Sequence, residues 1–170
     1  FLVGLMETTT VNELDSLDNV EVFKESKNVL HPLSSRQMGL WIYQQKNSQS
    51  CLYNICTSFL VKSKATREVI GNLAKRVWDL HPAFCSRFTL EKGVPKQQIL
   101  PEWQGQLHYC SRDESITAEQ QVELLNQQPF DVNSEKCSRI YVICCEDDTY
   151  IVSFSMHHII GDGQTAAIIS

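Results

Sequence analysis

The sequence has no Cys-x-x-Cys pair and no nucleophile-elbow Gly-x-Ser-x-Gly. Nor does any apolar run approach the ~18 residues of a membrane-spanning helix. The first absence, with an odd count of seven cysteines, argues against tetrahedral zinc, which draws on paired short spacings. Cys144 and Cys145 are adjacent, and neighbours on a strand point to opposite faces. A disulfide framework is also unexpected in a chain of 170 residues with no export signal, since Phe1–Met6 is too short for a signal-peptide core and lacks a basic flank. Reduced thiols in a cytoplasmic protein are the expectation. An excess of positive charge is missing too. Fifteen Lys+Arg face twenty Asp+Glu, a net charge of −5, which argues against nucleic-acid binding through a basic face. Internal repeats and low-complexity tracts are absent.

What is present reads as globular. Hydrophobic residues make up 42% and charged ones 21%, and the length suits one domain able to bury roughly two thirds of its unfolded surface. The chain begins with Phe1 and ends in the apolar run Ala166–Ser170, so both ends read as cuts through a longer polypeptide. Residues 1–30 are acidic and poor in aromatics. They read either as a linker from an upstream module, with Phe1–Met6 the end of that module's last helix, or as a poorly ordered arm. From His31 the pattern supports folded structure.

Ser34 and Ser35 are N-cap candidates for a helix through Gln45, with Met38, Trp41 and Ile42 on one face. Cys51–Val61 reads as a strand. Thr66 caps a helix to Leu80 with Val69, Leu73, Val77 and Leu80 as its apolar stripe, and Pro82 marks the turn after it. Strands follow over Phe84–Leu90 and near Gln98–Leu100, joined through Lys92-Gly93. Thr117–Gln127 is a helix. Arg139–Cys145 and Thr149–Met156 form a hairpin through Glu146-Asp147-Asp148. Gly163 opens a last helix. The expected fold is α/β, a mixed β-sheet flanked by helices.

The chemistry-bearing stretch is Phe154-Ser155-Met156-His157-His158-Ile159-Ile160-Gly161-Asp162-Gly163, where an apolar strand runs into two histidines. Histidine takes and returns a proton near neutrality. Adjacent strand residues project oppositely, so one histidine enters a cleft while the other packs inward. The same geometry weakens a metal reading. Asp162 reads as a fixed anion holding the loop through a charged or backbone partner, and Gly161 and Gly163 permit a tight turn. The plainer alternative is two buried histidines satisfied by backbone carbonyls. With no protein nucleophile evident, a histidine base suits direct transfer, in which an activated amine or hydroxyl attacks an acyl group.

His157-His158-Ile159-Ile160-Gly161-Asp162-Gly163 resembles the HHxxxDG signature of nonribosomal peptide synthetase condensation domains, members of the chloramphenicol-acetyltransferase-like superfamily. Wax-ester synthases and other relatives share that motif. Further matches occur in the family's order. Pro32–Trp41 is similar to the S-x-x-Q-x-x-L-W motif, and His81–Phe88 is similar to RHExLRTxF. Pro129-Phe130-Asp131, followed by Arg139-Ile140, resembles the approach to the central hairpin. Together they span residues 31–170. The resemblance implies the amino-terminal lobe of such a domain, cut at its C-terminal end, with a mixed sheet of the chloramphenicol-acetyltransferase type.

The implied activity is amide formation between carrier-bound acyl or peptidyl and aminoacyl thioesters, with His158 as the catalytic histidine. His157, Asp162 and Gly163 would support the site structurally. No cofactor is implied to bind directly, since the phosphopantetheine arms belong to partner carrier domains. Implied partners are upstream and downstream carriers, the missing carboxy-terminal lobe, which would cover an exposed apolar face, and adjacent adenylation or polyketide synthase modules. Neither nucleic acid nor membrane is implied.

One departure stands out. The family arginine that pairs with the motif aspartate falls at Cys85, and Ser86 replaces a threonine. Arg87, two residues on along a strand, is the candidate substitute partner for Asp162, the alternative being a solvated surface residue. Competing functions are an ester-forming or epimerising member of the superfamily, or a degenerate carrier-docking domain. Trp41 and Tyr43 read as packing residues, and Asp113-Glu114 and Glu146-Asp147-Asp148 as solvated loop charges. Lys92 and Lys96 read as a solvated hairpin or a contact for an acidic carrier.

Overall fold

The computed structural model describes residues 2–3, 29–100, 106–133 and 137–162. Its elements are β1 (Leu2–Val3), β2 (Leu30–Pro32), α1 (Ser35–Lys46), β3 (Asn54–Lys62), α2 (Arg67–Asp79), β4 (Ser86–Glu91), β5 (Val94–Ile99), β6 (Gln106–Ser111), α3 (Ala118–Asn126), β7 (Ser138–Cys144) and β8 (Thr149–His157). A mixed sheet of order β1-β3-β8-β7-β6 and a small sheet of order β2-β5-β4 organise the chain.

Strand β8 is central in the larger sheet. It pairs antiparallel with β3 from Asn54↔His157 to Lys62↔Thr149, and antiparallel with β7 from Ser138↔Met156 to Cys144↔Tyr150. Every residue from Ile151 to His157 is buried, because helices cover both faces. Val152, Phe154 and Met156 pack with Ala74 and Trp78 of α2, Trp78 and Phe154 having ring centroids 5.5 Å apart. Ile151 packs with Val122 of α3, and Ser153 on the same face accepts a 3.2 Å hydrogen bond from the Asn126 amide. The period-two alternation thus divides β8 between two helices and leaves His157 on the Ile151–Ser153–Ser155 face.

The helices start where the sequence says they should. Ser34 caps α1 and Thr117 caps α3, each in a reciprocal capping box with the glutamine three residues on. Thr66 caps α2. Their buried stripes differ from the expectation. In α2 the inward residues are Ile70, Gly71, Ala74 and Trp78, a quarter-turn from the expected set, and Val69 is 44% exposed. Trp78 decides the phase, since its ring is the largest apolar surface on the helix and is fully buried. In α1 the buried pair is Leu40 and Gln44, while Ile42 is exposed.

Other boundaries also differ. Pro82–Cys85 forms a 3-10 turn rather than the start of a strand, and Pro82 at its beginning suits a fixed φ. Strand β6 was not expected from the sequence. Leu2–Val3 pairs parallel with Thr57 and Ser58 as an edge strand, not as the end of a helix. The rest of residues 4–28 and the helix expected from Gly163 lie outside the described residues. Both expected hairpins are present. Lys92 (φ 50°) and Gly93 (φ 79°) turn β4 into β5, and Asp147 (φ 54°) and Asp148 (φ 55°) turn β7 into β8. Paired left-handed residues match the twist of the flanking strands. No disulfide joins any of the seven cysteines. Among the described residues no helix is long and apolar enough to cross a membrane. Large exposed apolar side chains are spread over α1, β3, α2, the β4–β5 hairpin and α3.

Candidate active site

The two adjacent histidines part at the end of β8. His157 is its last residue, and its N–H donates to Cys137 O at 2.8 Å. His158 is the first residue beyond, and its N–H donates the other way, to Tyr53 O at 2.7 Å. The chain then turns, with Ile160 N–H donating to His157 O at 3.1 Å.

His157 is fully buried and both ring nitrogens are engaged. Nδ1 accepts the Ile159 N–H at 3.0 Å, which leaves Nε2 to donate to Gln44 Oε1 at 3.3 Å. Burial, and secondarily the neighbouring His158, push its pKa down to about 4, so it is neutral at physiological pH. Gln44 is itself held by its amide, which donates to Ser48 O, Ser50 O and Phe130 O. Phe130 lies edge-on to His157 and beneath Arg139, whose guanidinium carbon is 4.0 Å from the ring centroid. Arg139 also donates to Gln128 O and Pro129 O. The stretch before β7 is therefore a clamp behind His157.

His158 is half-buried and faces a cavity of about 340 Å³ lined by Ser34, Arg36, Gln37, His158, Gly161 and Asp162, among others. Its Nδ1–H donates to Gly161 O at 2.7 Å. That bond assigns the tautomer and leaves the lone pair on Nε2, directed into the cavity. The Arg36 Nη2 donates to Nε2 at 3.3 Å. Gln37 fastens the cavity floor. Its Nε2 donates to Gln97 Oε1 at 3.0 Å and to Ile159 O at 3.2 Å, and Gln97 donates to Ser86 Oγ at 2.8 Å. This chain of amides ties the small sheet, α1 and the histidine loop together.

Asp162 is half-buried and lines the same cavity. Arg87 is not brought to it. Its Nε donates to Gln98 Oε1 at 2.8 Å across the β4–β5 pair, the side chain is exposed, and no ion pair joins it to Asp162. The reason is phase. Cys85 ends the 3-10 turn and is buried, Ser86 begins β4 and is also buried, and the alternation therefore turns Arg87 outward. Gly163 lies outside the described residues. Trp41 donates to Asn133 Oδ1 at 3.0 Å, and Tyr43 packs edge-on against Tyr53 at 5.0 Å, both as packing residues.

Two residues of the site were not singled out from the sequence. Gln44 falls one turn after Leu40 on the inward stripe of α1, and a polar side chain at such a position demands a buried partner. Arg36 is a cation in the first turn of a helix, where the macrodipole disfavours positive charge, and no acidic residue accompanies it there. A residue that breaks a local rule in this way is a functional signal.

The family model described as Condensation domain matches residues 28–170. Gramicidin S synthase 2 of Brevibacillus brevis is 27% identical over 175 residues, covering 97% of this chain and 4% of that protein. Bacitracin synthase 3 of Bacillus licheniformis is 29% identical over 149 residues, covering 86% of this chain and 2% of that protein. The chain thus spans a small fraction of these relatives. Among solved structures, the starter condensation domain of rhizomide synthetase RzmA superposes with a TM-score of 0.71 at 19% identity, over 84% of this chain and 37% of that one. The first condensation domain of the calcium-dependent antibiotic synthetase, in complex with a substrate analogue, gives 0.69 at 17% identity, over 85% and 37%. These likenesses establish the fold.

Proposed function

Because the chain belongs to the condensation-domain family, we propose that it is the amino-terminal lobe of a domain that joins a carrier-bound acyl or peptidyl thioester to the amine of a carrier-bound aminoacyl thioester. The observation that carries this reading is the His158 imidazole. Its Nδ1–H is tied to Gly161 O and its Nε2 lone pair faces the cavity. A base so oriented can accept the proton an amine loses as it attacks a carbonyl, without a protein nucleophile. His157 and Gln44 act behind it, holding the loop through Ile159 N–H. Asp162 shares the cavity, and Gly163 carries its role in this reading by motif alone.

The thioesters arrive on phosphopantetheine arms that belong to carrier domains, and this chain's part is to receive and orient what those arms carry. A carboxy-terminal lobe would complete the channel, and the lobe alone would be inactive. Adjacent adenylation or polyketide synthase modules and a cytoplasmic location complete the proposal.

The test is amide formation by the full-length protein with loaded donor and acceptor carriers, wild type against His158→Ala. General base catalysis contributes about 10²–10⁴-fold, and a loss in that range is expected. Equal rates would defeat the assignment. A second reading, a domain that docks carriers without catalysis, is favoured by Cys85 at the family arginine's place and by Arg87 turned to Gln98. Carrier binding with no amide product from the wild type would establish it.

A further inference from the structure

We propose, resting on the amide-forming reading above, that Arg36 is a catalytic residue that moves from His158 to the oxygen of the attacked carbonyl. Arg36 makes one hydrogen bond among the described residues, to His158 Nε2 at 3.3 Å. It forms no ion pair there, and its side chain is exposed at the cavity mouth. Among the described residues no carboxylate accounts for a guanidinium at that place. It sits at the positive end of α1 with no acidic residue in the first turn, and it spends one of five donors.

The Nε2 lone pair it occupies is the one an incoming amine must reach. When the amine takes that lone pair, the guanidinium is released beside the carbon under attack. The nitrogen forms a bond to the acyl carbon, the C=O π pair moves onto oxygen, and the amine proton passes to His158 Nε2. The released Arg36 then donates to this oxyanion. Collapse restores the C=O, breaks the C–S bond and returns the proton from Nε2 to the departing thiolate. Atoms and charge balance without another reactant.

Charged donors other than Arg36 are missing from the described cavity wall. The Gln37 amide is committed to Gln97 and Ile159 O, whereas the Ser34 hydroxyl accepts from Gln37 N–H and keeps its own hydrogen, a neutral donor weaker than a guanidinium toward an oxyanion. Asp162 carries the wrong charge. Arg36 is the permanent positive charge among the described residues lining the cavity. A donor that reaches the oxygen only as its charge develops stabilises the transition state and not the ground state, so its removal falls on turnover rather than on substrate binding.

The experiment compares wild type, Arg36→Ala, Arg36→Gln and Arg36→Lys in the full-length protein, with carriers loaded with the amino acids that protein itself activates. Arg36→Ala and Arg36→Gln are expected to lower kcat about 100-fold or more with KM for the loaded acceptor carrier unchanged. Arg36→Lys is expected to recover part of the rate. Millimolar guanidinium chloride should raise the Arg36→Ala rate and leave His158→Ala unaffected, a readout that a structural role would not move. Rates of Arg36→Ala or Arg36→Gln within twofold of wild type overturn the proposal, as does a loss confined to KM or no rescue by guanidinium. In each of those outcomes wild-type amide formation stands and the underlying function survives. A wild type that makes no amide overturns the underlying reading and this one with it.

Discussion

Acidification below neutrality should unfold the protein from within its site, through His157. The ring is fully buried, its Nδ1 accepts Ile159 N–H, and burial first, then His158, hold its pKa at about 4 against the usual 6.5. Above pH 6.5 the ring is neutral in both folded and unfolded chains and adds no pH dependence. Between pH 6.5 and 4 the unfolded chain binds a proton that the folded one refuses, so unfolding gains favour as pH falls. At about 1.4 kcal/mol per pH unit, that window is worth about 3 kcal/mol, a large share of the stability of an ordinary domain. Below pH 4 both states are charged and this loss levels off. Protonation also sets a donor at Nδ1 against the Ile159 N–H, so the loop carrying His158 opens at the same step. Urea titrations across this range on wild type and His157→Gln check the figure. Wild type should lose about 3 kcal/mol more than the variant, whatever the variant's own starting stability. Parallel pH profiles would refute the argument.

Two further substitutions probe the sheet. A Cβ at Gly71 of α2 would collide with the Tyr109 hydroxyl of β6 and stand 3.0 Å from two of its ring carbons, and Tyr109 is 38% exposed. Gly71→Ala should therefore destabilise by about 1 kcal/mol, the clash outweighing the helix gain, yet stabilise by a similar amount in a Tyr109→Ala background. A double-mutant cycle by thermal melting reads this, and equal effects in both backgrounds would contradict it. The Ser155 hydroxyl of β8 is buried with no hydrogen-bond partner among the described residues. Ser155→Ala should leave stability unchanged or raise it by up to about 1 kcal/mol, and a loss of more than that in urea denaturation would show an unrecognised partner.

The residues that could be read in advance are those whose local chemistry decides their place. Ser34, Thr66 and Thr117 cap helices because a side-chain oxygen meets an otherwise unpaired N–H two or three residues on. Lys92-Gly93 turns because glycine tolerates positive φ. The histidine pair, too, was legible from strand alternation and from the motif it resembles. What escaped depends on tertiary contact. The phase of α2 is set by Trp78 fitting against Phe154 and Phe84, which periodicity ranks no higher than Val77. Strand β6 pairs parallel with β7, and the short alternation Gln106-Leu107-His108-Tyr109 has no adjoining turn to announce a partner so far along the chain. Arg87 failed for a smaller reason, since a four-residue 3-10 turn shifted the alternation by one.

The division of labour between the histidines follows from where β8 ends. A central strand covered on both faces buries whatever side chain it carries, so a titratable ring within it is held neutral and serves as a bracket. One residue later the β7 pairing is gone, since Ser138↔Met156 is its last rung, while Tyr53 O still holds the chain from the β3 side. The backbone at His158 is therefore fixed along one edge and free to turn along the other. That half-release directs Nε2 into the cavity, and Gly161 O locks the ring once it is there. Ending β8 one residue earlier would give His157 the half-released position, and ending it one later would give that position to Ile159. The adjacency of the histidines thus puts one ring in the rigid core and the next, as alternation allows, in the cavity.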